Sequence, residues 1–372
     1  MTQTQETYFH HIVLKGNPCQ IGRTQGEAIK NIPGFIDFLR SGTSRFSTEQ
    51  FQKIADEMER FTPGINEEIR GMADALGIRA QELIYYSFTW LQQGHCSHFA
   101  LLPSRTEEGR TLVGRSYEFG LKTEDLRLVT LQSTGKYAFM GSSVLFFGLT
   151  EGMNEHGLVV TMSAGGWPVG PTREMRPPLR DGFQFWFVVR AVLETCKTVE
   201  EAVKLILEIP TCGNPNLLVA DKAGRAALVE VFGGNKAVKL INAESEEQSL
   251  CSTNHFTLPE MTPYRDPVWK NSQVRYDAIR AQLGGTQKVG KEAIRSLLSQ
   301  KYPQGLACHY YDEGFGTLRS MIFDPQALEL EMCFGSPVGG SWHKLDLNST
   351  GASYAANLPM EKMPEDFMAT KL

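Results

Sequence analysis

The chain has 372 residues and a formal net charge of −5 at pH 7, with a sequence pI near 6.0. That length admits one large domain or two smaller ones. With no basic surplus to neutralise phosphates, nucleic acid is excluded as a partner. The start, MTQTQETYFHHIVLKG, lacks the basic flank and apolar core of a signal peptide. No run approaches the roughly 20 apolar residues of a membrane span, so the expected location is cytoplasmic, with no membrane partner.

Seven scattered cysteines without a C-x-x-C pair read as reduced thiols, not as a disulfide frame or a zinc site. No metal or cofactor is expected.

Up to about Gln93 the chain reads as helical. Ser47 and Gln50 fit a capping box, and Thr62-Pro63 fits a cap followed by proline at a first helical position. Ile65, Ile69, Met72 and Leu76 lie on one helical face that Gly77 ends. A further stretch, roughly 81–93, carries Leu83, Ile84, Phe88 and Leu91.

From His98 to Ser163 the pattern turns to short β-rich runs separated by turn signals such as Glu108-Gly109 and Thr134-Gly135. Two helices are predicted next, the first over about 182–196 and the second capped by Thr198 with Glu201. Strands return in NLLVAD, RAALVEVF and KAVKLI, with a tight turn at Asp221-Lys222-Gly224. Helices follow near 272–283 and 291–299, and a hairpin is formed by TLRSMIFD and LELEMCFG. The tail after about Asn348 reads as weakly structured. This order suggests α+β layers, and the lack of a polar linker favours one domain.

Cys96 is the cysteine whose surroundings suggest chemistry. It sits where helix gives way to strand, flanked by His95 and His98, with Arg115 at the end of the next strand. A thiol is a strong nucleophile only as thiolate, so it needs a base or a nearby positive charge. A buried structural cysteine is the bland alternative. A metal cluster of His95, Cys96 and His98 lacks a fourth ligand. A papain-like protease would place its cysteine at a helix start.

The run from Cys96-Ser97 to Gly114-Arg115-Ser116-Tyr117-Glu118-Phe119 resembles the acyl-coenzyme A:isopenicillin N acyltransferase family, related to penicillin V acylases, bile salt hydrolases and acid ceramidases. Further pieces follow in the family's order: GNPCQIGRTQG from Gly16 to Gly26, Gly152-Met153-Asn154-Glu155 with Gly157-Leu158, Asn216 to Asp221, Thr253-Asn254-His255-Phe256, Ser272 with Arg275, and Thr317 to Ser320. Ser116 and Glu118 stand where the family often has Asn and Asp, and Ser163 stands near a position often held by Asn.

The resemblance implies a four-layer αββα N-terminal-nucleophile hydrolase sandwich with a helical N-terminal segment, residues 1–95, and a catalytic part, residues 96–372, together forming one domain. It implies a self-cut before Cys96, whose freed α-amine becomes the base. Arg115 would favour the thiolate, Glu118 would hold the new ammonium, Asn254 would donate to the oxyanion, and Arg275 would support the site. Ser163, Trp167 and His98 are the expected substrate-lining residues. The implied substrate is a small N-acyl amide, with water, an amine or an acyl-thioester co-substrate completing the reaction. Oligomer formation is left open. A non-catalytic binding or scaffold protein and a conventional cysteine peptidase are the competing readings.

Overall fold

The computed structural model describes residues 3–40, 47–86, 95–170, 175–285 and 287–371. The chain opens on a strand, β1 (Gln3–Gly16), and not on the expected helix. Thr7, Phe9 and His11 are buried while Tyr8 between them is exposed, the period of two of a half-covered strand. Helices α1 (Pro18–Ile29) and α2 (Phe35–Leu39) follow. Asn17 and Gln20 cap α1 reciprocally, at 2.9 and 3.0 Å. Then come α3 (Thr48–Phe61), with the expected Ser47–Gln50 capping box, and α4 (Ile65–Leu76).

The Gly16–Gly26 segment owes its glycines partly to packing. A Cβ on Gly22 would lie 1.8 Å from the Glu68 carbonyl oxygen, so α1 meets the backbone of α4 directly. Helix α4 buries Ile65, Ile69, Met72 and Leu76, as their spacing predicts. Its start differs from expectation: Gly64 precedes it, and Thr62 closes α3. Of the helix expected over 81–93, only 3-10 turns at Ala80–Glu82 and Ile84–Tyr86 are seen; Phe88 and Leu91 lie outside the described residues.

The next six strands are β2 (His95–Leu101), β3 (Leu112–Phe119), β4 (Arg127–Ser133), β5 (Phe139–Val144), β6 (Gly148–Asn154) and β7 (Val159–Ala164). Helices α5 (Phe185–Thr195) and α6 (Val199–Glu208) follow, the latter capped by Thr198. Strands β8 (Pro215–Ala220), β9 (Ala226–Phe232), β10 (Asn235–Ile241) and β11 (Ser249–Ser252) come next. The short β12 (Val268–Trp269) leads into α7 (Lys270–Leu283) and α8 (Lys291–Ser299). The rest of the chain forms β13 (His309–Tyr310), β14 (Phe315–Asp324), β15 (Glu329–Phe334), β16 (Trp342–Leu345), β17 (Ala352–Met360) and β18 (Thr370–Lys371).

One sheet has the order β10-β9-β8-β7-β6-β5-β4-β1-β17, and the other β11-β2-β3-β14-β15-β16 with β13 beside β14. The tail is therefore structured: β17 pairs antiparallel with β1 from Gln3 opposite Met360 to His11 opposite Ala352. Alternate residues of one strand serve different layers. Leu218 and Ala220 of β8 pack between the sheets, while Leu217 and Val219 join the core beneath α1, α3, α4, α5 and α6. On the far side, Phe99, Leu101 and Leu112 pack against α7 and α8. The layer order is αββα. Among the described residues no helix is long and apolar enough to cross a membrane.

Candidate active site

Cys96 lies at the head of β2, antiparallel to β3, with His95 opposite Glu118, Cys96 opposite Tyr117 and His98 opposite Arg115. Strand alternation sends Cys96, Ala100, Val113 and Tyr117 between the sheets and Phe99, Leu101 and Leu112 toward α7 and α8. Arg115 and Glu118, three residues apart, therefore leave β3 on opposite faces. Both are fully buried, so they are not a solvated surface pair.

Between the sheets, the Arg115 Nη2 lies 3.1 Å from the Cys96 Sγ, and its Nε donates to Glu151 at 3.0 Å. Glu151, on β6, also accepts from the Nε of Arg319 at 2.7 Å. The Arg319 guanidinium covers the Tyr117 ring, 3.7 Å from its centroid. Burial works to raise the Glu151 carboxyl, but Arg319 and Arg115 beside it hold it below the usual carboxylate range.

On the other face of β2, Arg275 of α7 ties three elements together. Its Nη1 donates to Ser97 at 2.8 Å, and its Nη2 donates to Asn254 and Asn271 at 2.7 Å each. Its nearest approach to Glu118 is 3.8 Å. Asn254 is held by its backbone N–H donating to Ser272 at 2.8 Å, and its side-chain amide donates to the Ala164 carbonyl at 3.2 Å. Arg275 is fully buried, so it does not lie on a solvated face of α7.

The expected substrate-lining residues separate. His98 and Ser163 are fully buried; His98 contacts the Thr161 hydroxyl at 2.7 Å and that of Ser163 at 3.2 Å, while Ser163 donates to the Thr253 carbonyl at 2.5 Å. Trp167 is 39% exposed, its ring 5.8 Å from that of Trp269. His255 is held by the Ser272 hydroxyl at 2.8 Å, and His95 stacks on Phe315.

Glu151, Ser97, Asn271 and the guanidinium of Arg319 enter the site without a sequence-based role. A signal existed for two of them: Glu151 and Arg319 are charges inside apolar strand runs, each fully covered or nearly so, and such charges persist when paired.

Burial pushes the Cys96 thiol up to about 12, with Arg115 opposing. Burial likewise raises Glu118 to about 7, against the pull of Arg275 and a hydrogen bond from Ser116. A carboxyl with a raised folded-state pKa stabilises the fold below its unfolded value and loses that contribution as pH climbs through the folded value. Compared on a Cys96→Ala background, where no new ammonium faces Glu118, the chain with Glu118 should therefore lose stability relative to Glu118→Gln between about pH 4.5 and pH 7. Thermal melts of both chains across that range check this; a constant difference would rule it out.

Four layers in the order αββα give the chain the fold of an N-terminal-nucleophile hydrolase sandwich. The chain belongs to the acyl-coenzyme A:6-aminopenicillanic acid acyl-transferase family, whose model matches residues 104–338. That match begins beyond β2, so Cys96 rests on its own geometry and the resemblance of its surroundings.

Among solved structures, penicillin V acylase from Agrobacterium tumefaciens is 19% identical with a TM-score of 0.42, covering 70% of this chain and 90% of its own. A mutant of conjugated bile acid hydrolase from Clostridium perfringens is 14% identical with a TM-score of 0.42, covering 73% and 99%. An "uncharacterized protein" of Archaeoglobus fulgidus is 22% identical over 382 residues, spanning 89% of this chain. The alignment takes in 62% of that relative's length, less than two thirds.

Proposed function

We propose that this chain is a self-processing cysteine amidase or N-acyltransferase acting on the C–N bond of a small N-acyl compound, with Cys96 as nucleophile. The observation that carries the reading is the Arg115 guanidinium 3.1 Å from a thiol at the head of an inner strand. Family membership supports acyl transfer as the reaction class.

In the uncut chain the thiol is buried and protonated, and among the described residues no side-chain base is paired with it. His98 is engaged by Thr161 and Ser163, and His255 by Ser272, which disfavours a conventional Cys-His peptidase. Self-processing supplies the missing base. The Cys96 sulfur attacks the His95 carbonyl, a C–S bond forms, the C–N bond breaks, and the thiol proton passes to the Cys96 nitrogen. Water then hydrolyses the thioester and leaves an α-amine, whose ordinary pKa is about 7.7–8.0. This amine can accept the thiol proton in each turnover and return it to the leaving amine.

Glu118 sits opposite His95 in the strand register and is the group proposed to hold the new ammonium. Arg275 positions Asn254, whose amide is the proposed oxyanion donor. Asn254→Ala is expected to lower kcat by ~10²–10³, the usual cost of losing one such donor. Single-turnover assays on self-cut protein check it, and an unchanged rate would remove Asn254 from that role. The acceptor is water in a hydrolase, or an amine in a transferase whose acyl donor is an amide or acyl thioester.

The test of the function is intact-mass analysis of purified protein with iodoacetamide labelling. A fragment beginning CSHFA, alkylated at Cys96, is expected. A chain that stays whole and takes no label at Cys96 would sink the reading and leave a binding or scaffold protein.

A further inference from the structure

The residue before the proposed cut is packed as a ligand would be. The His95 ring is stacked on Phe315, with centroids 4.5 Å apart and planes at 20°. Trp269 meets it edge-on at 5.5 Å. Trp269 in turn lies 5.8 Å from the partly exposed Trp167, so a row of rings runs from the surface to the residue beside Cys96. Phe315 is braced from behind by Phe367, 4.7 Å away and perpendicular. The aromatic walls are therefore set by β12, β14 and the C-terminal segment, independently of the chain before Cys96.

The packing suits a ring better than it suits histidine. The His95 Nδ1 is buried with no hydrogen-bond partner among the described residues, and burial, aided by Arg275, drops the imidazole to about 3, so it is neutral. The Arg275 guanidinium also lies 5.2 Å from the Phe315 ring centroid, placing positive charge behind the slot. A carbocyclic ring would keep the stacking and leave no polar atom unsatisfied. A cationic ring would meet Arg275.

We infer that the place held by the His95 ring is the acyl-group slot of the cut enzyme, and that it takes an uncharged aryl ring carried two carbons from the acyl carbonyl. The inference rests on Cys96 being the nucleophile. The thioester formed in self-processing is itself an acyl-enzyme, with the His95 carbonyl on the Cys96 sulfur. Its ring is attached through the α- and β-carbons. Hydrolysis of that thioester frees the residue 95 carboxyl and lets the ring depart, leaving Phe315 and Trp269 to receive the next acyl group. The matching substrate is a 3-arylpropanoyl amide, or an N-blocked aromatic aminoacyl amide of the same spacing.

The experiment uses self-cut protein and four p-nitrophenyl esters, whose leaving group needs no protonation, so that the readout is acylation of Cys96. The acyl groups are 3-phenylpropanoyl, phenylacetyl, hexanoyl and 3-(N-methylpyridinium)propanoyl, each measured above the Cys96→Ala background. The 3-phenylpropanoyl ester is expected to exceed the hexanoyl ester in kcat/KM about tenfold, the scale of one or two ring contacts. The phenylacetyl and pyridinium esters should rank below it. Phe315→Leu and Trp269→Leu should each bring the 3-phenylpropanoyl to hexanoyl ratio toward one, while Phe315→Tyr retains it. Because the ratio is taken within one variant, general losses cancel. A cut protein acylated at Cys96 without this ranking, or with the ranking intact in both Leu variants, overturns the slot and leaves the function standing. A chain neither cut nor acylated at Cys96 overturns the function and the slot together.

Discussion

Cys96→Ala is expected to leave the chain whole and to abolish amide turnover, a loss on the order of 10⁶ in kcat, the scale seen when a nucleophile is removed. Both effects have one cause. The sulfur that would break the His95–Cys96 bond is the sulfur that would take the acyl group, and an uncut chain also lacks the α-amine that would serve as base. The fold should hardly notice. The side chain lies among Ala100, Val113 and Tyr117 in the core between the sheets, and losing one sulfur there costs about 1 kcal/mol. Intact mass, nitroaniline release from chromogenic amides and a thermal melt separate these outcomes. A Cys96→Ala chain that is still cut, or still active, would remove Cys96 from the chemistry. Cys96→Ser is expected to fall between the two chains, since a hydroxyl is a weaker nucleophile and benefits less from Arg115.

How much of this was legible depends on how local each signal is. The α4 stripe from Ile65 to Leu76 and the Thr198 cap of α6 are written in adjacent turns, and both appear in the structure. The strand character of Gln3–Gly16 and of the tail is not legible locally, because β1 finds its partners in β17 and β4 and the tail finds its partner in β1, all distant in the chain. That Arg115 and Glu118 leave opposite faces follows from their odd spacing alone. That Arg115 shares a face with Cys96 does not, because it needs the register setting His98 opposite Arg115. The role of Glu151 was further from view. Glu151 and Arg115 come from different sheets, so their contact depends on how the two sheets are stacked, which no spacing within either strand encodes.

That contact carries the second large effect: Glu151→Ala is expected to destabilise the fold by about 3–5 kcal/mol, the usual cost of removing one partner from a buried ion pair. Glu151 holds Arg115 on one oxygen at 3.0 Å and Arg319 on the other at 2.7 Å. Without it, two guanidinium groups remain between the sheets, Arg319 with only Glu124 at 3.5 Å as an anion, and neither can shed its charge. Glu151→Gln keeps the shape and an acceptor but not the charge, and should cost less. Adding Arg319→Met to Glu151→Ala should recover part of the loss, because it removes one guanidinium and leaves Glu124, which burial raises to about 7, able to take up a proton. The pH dependence runs opposite to that of Glu118. The Glu151 carboxyl is lowered in the folded state, so its contribution is present at neutral pH and fades as pH falls below its ordinary value of 4.5. Denaturant midpoints of the natural chain and Glu151→Gln should thus differ at pH 7 and draw closer as pH falls below 4.5. Arg115, freed on the Glu151 side, should also hold its place beside the sulfur less firmly, so Glu151→Gln should self-cut more slowly at a temperature where it is fully folded. If Glu151→Ala matched the natural chain in stability at pH 7, the network would be ornament to the fold and the placement of Arg115 would need another cause.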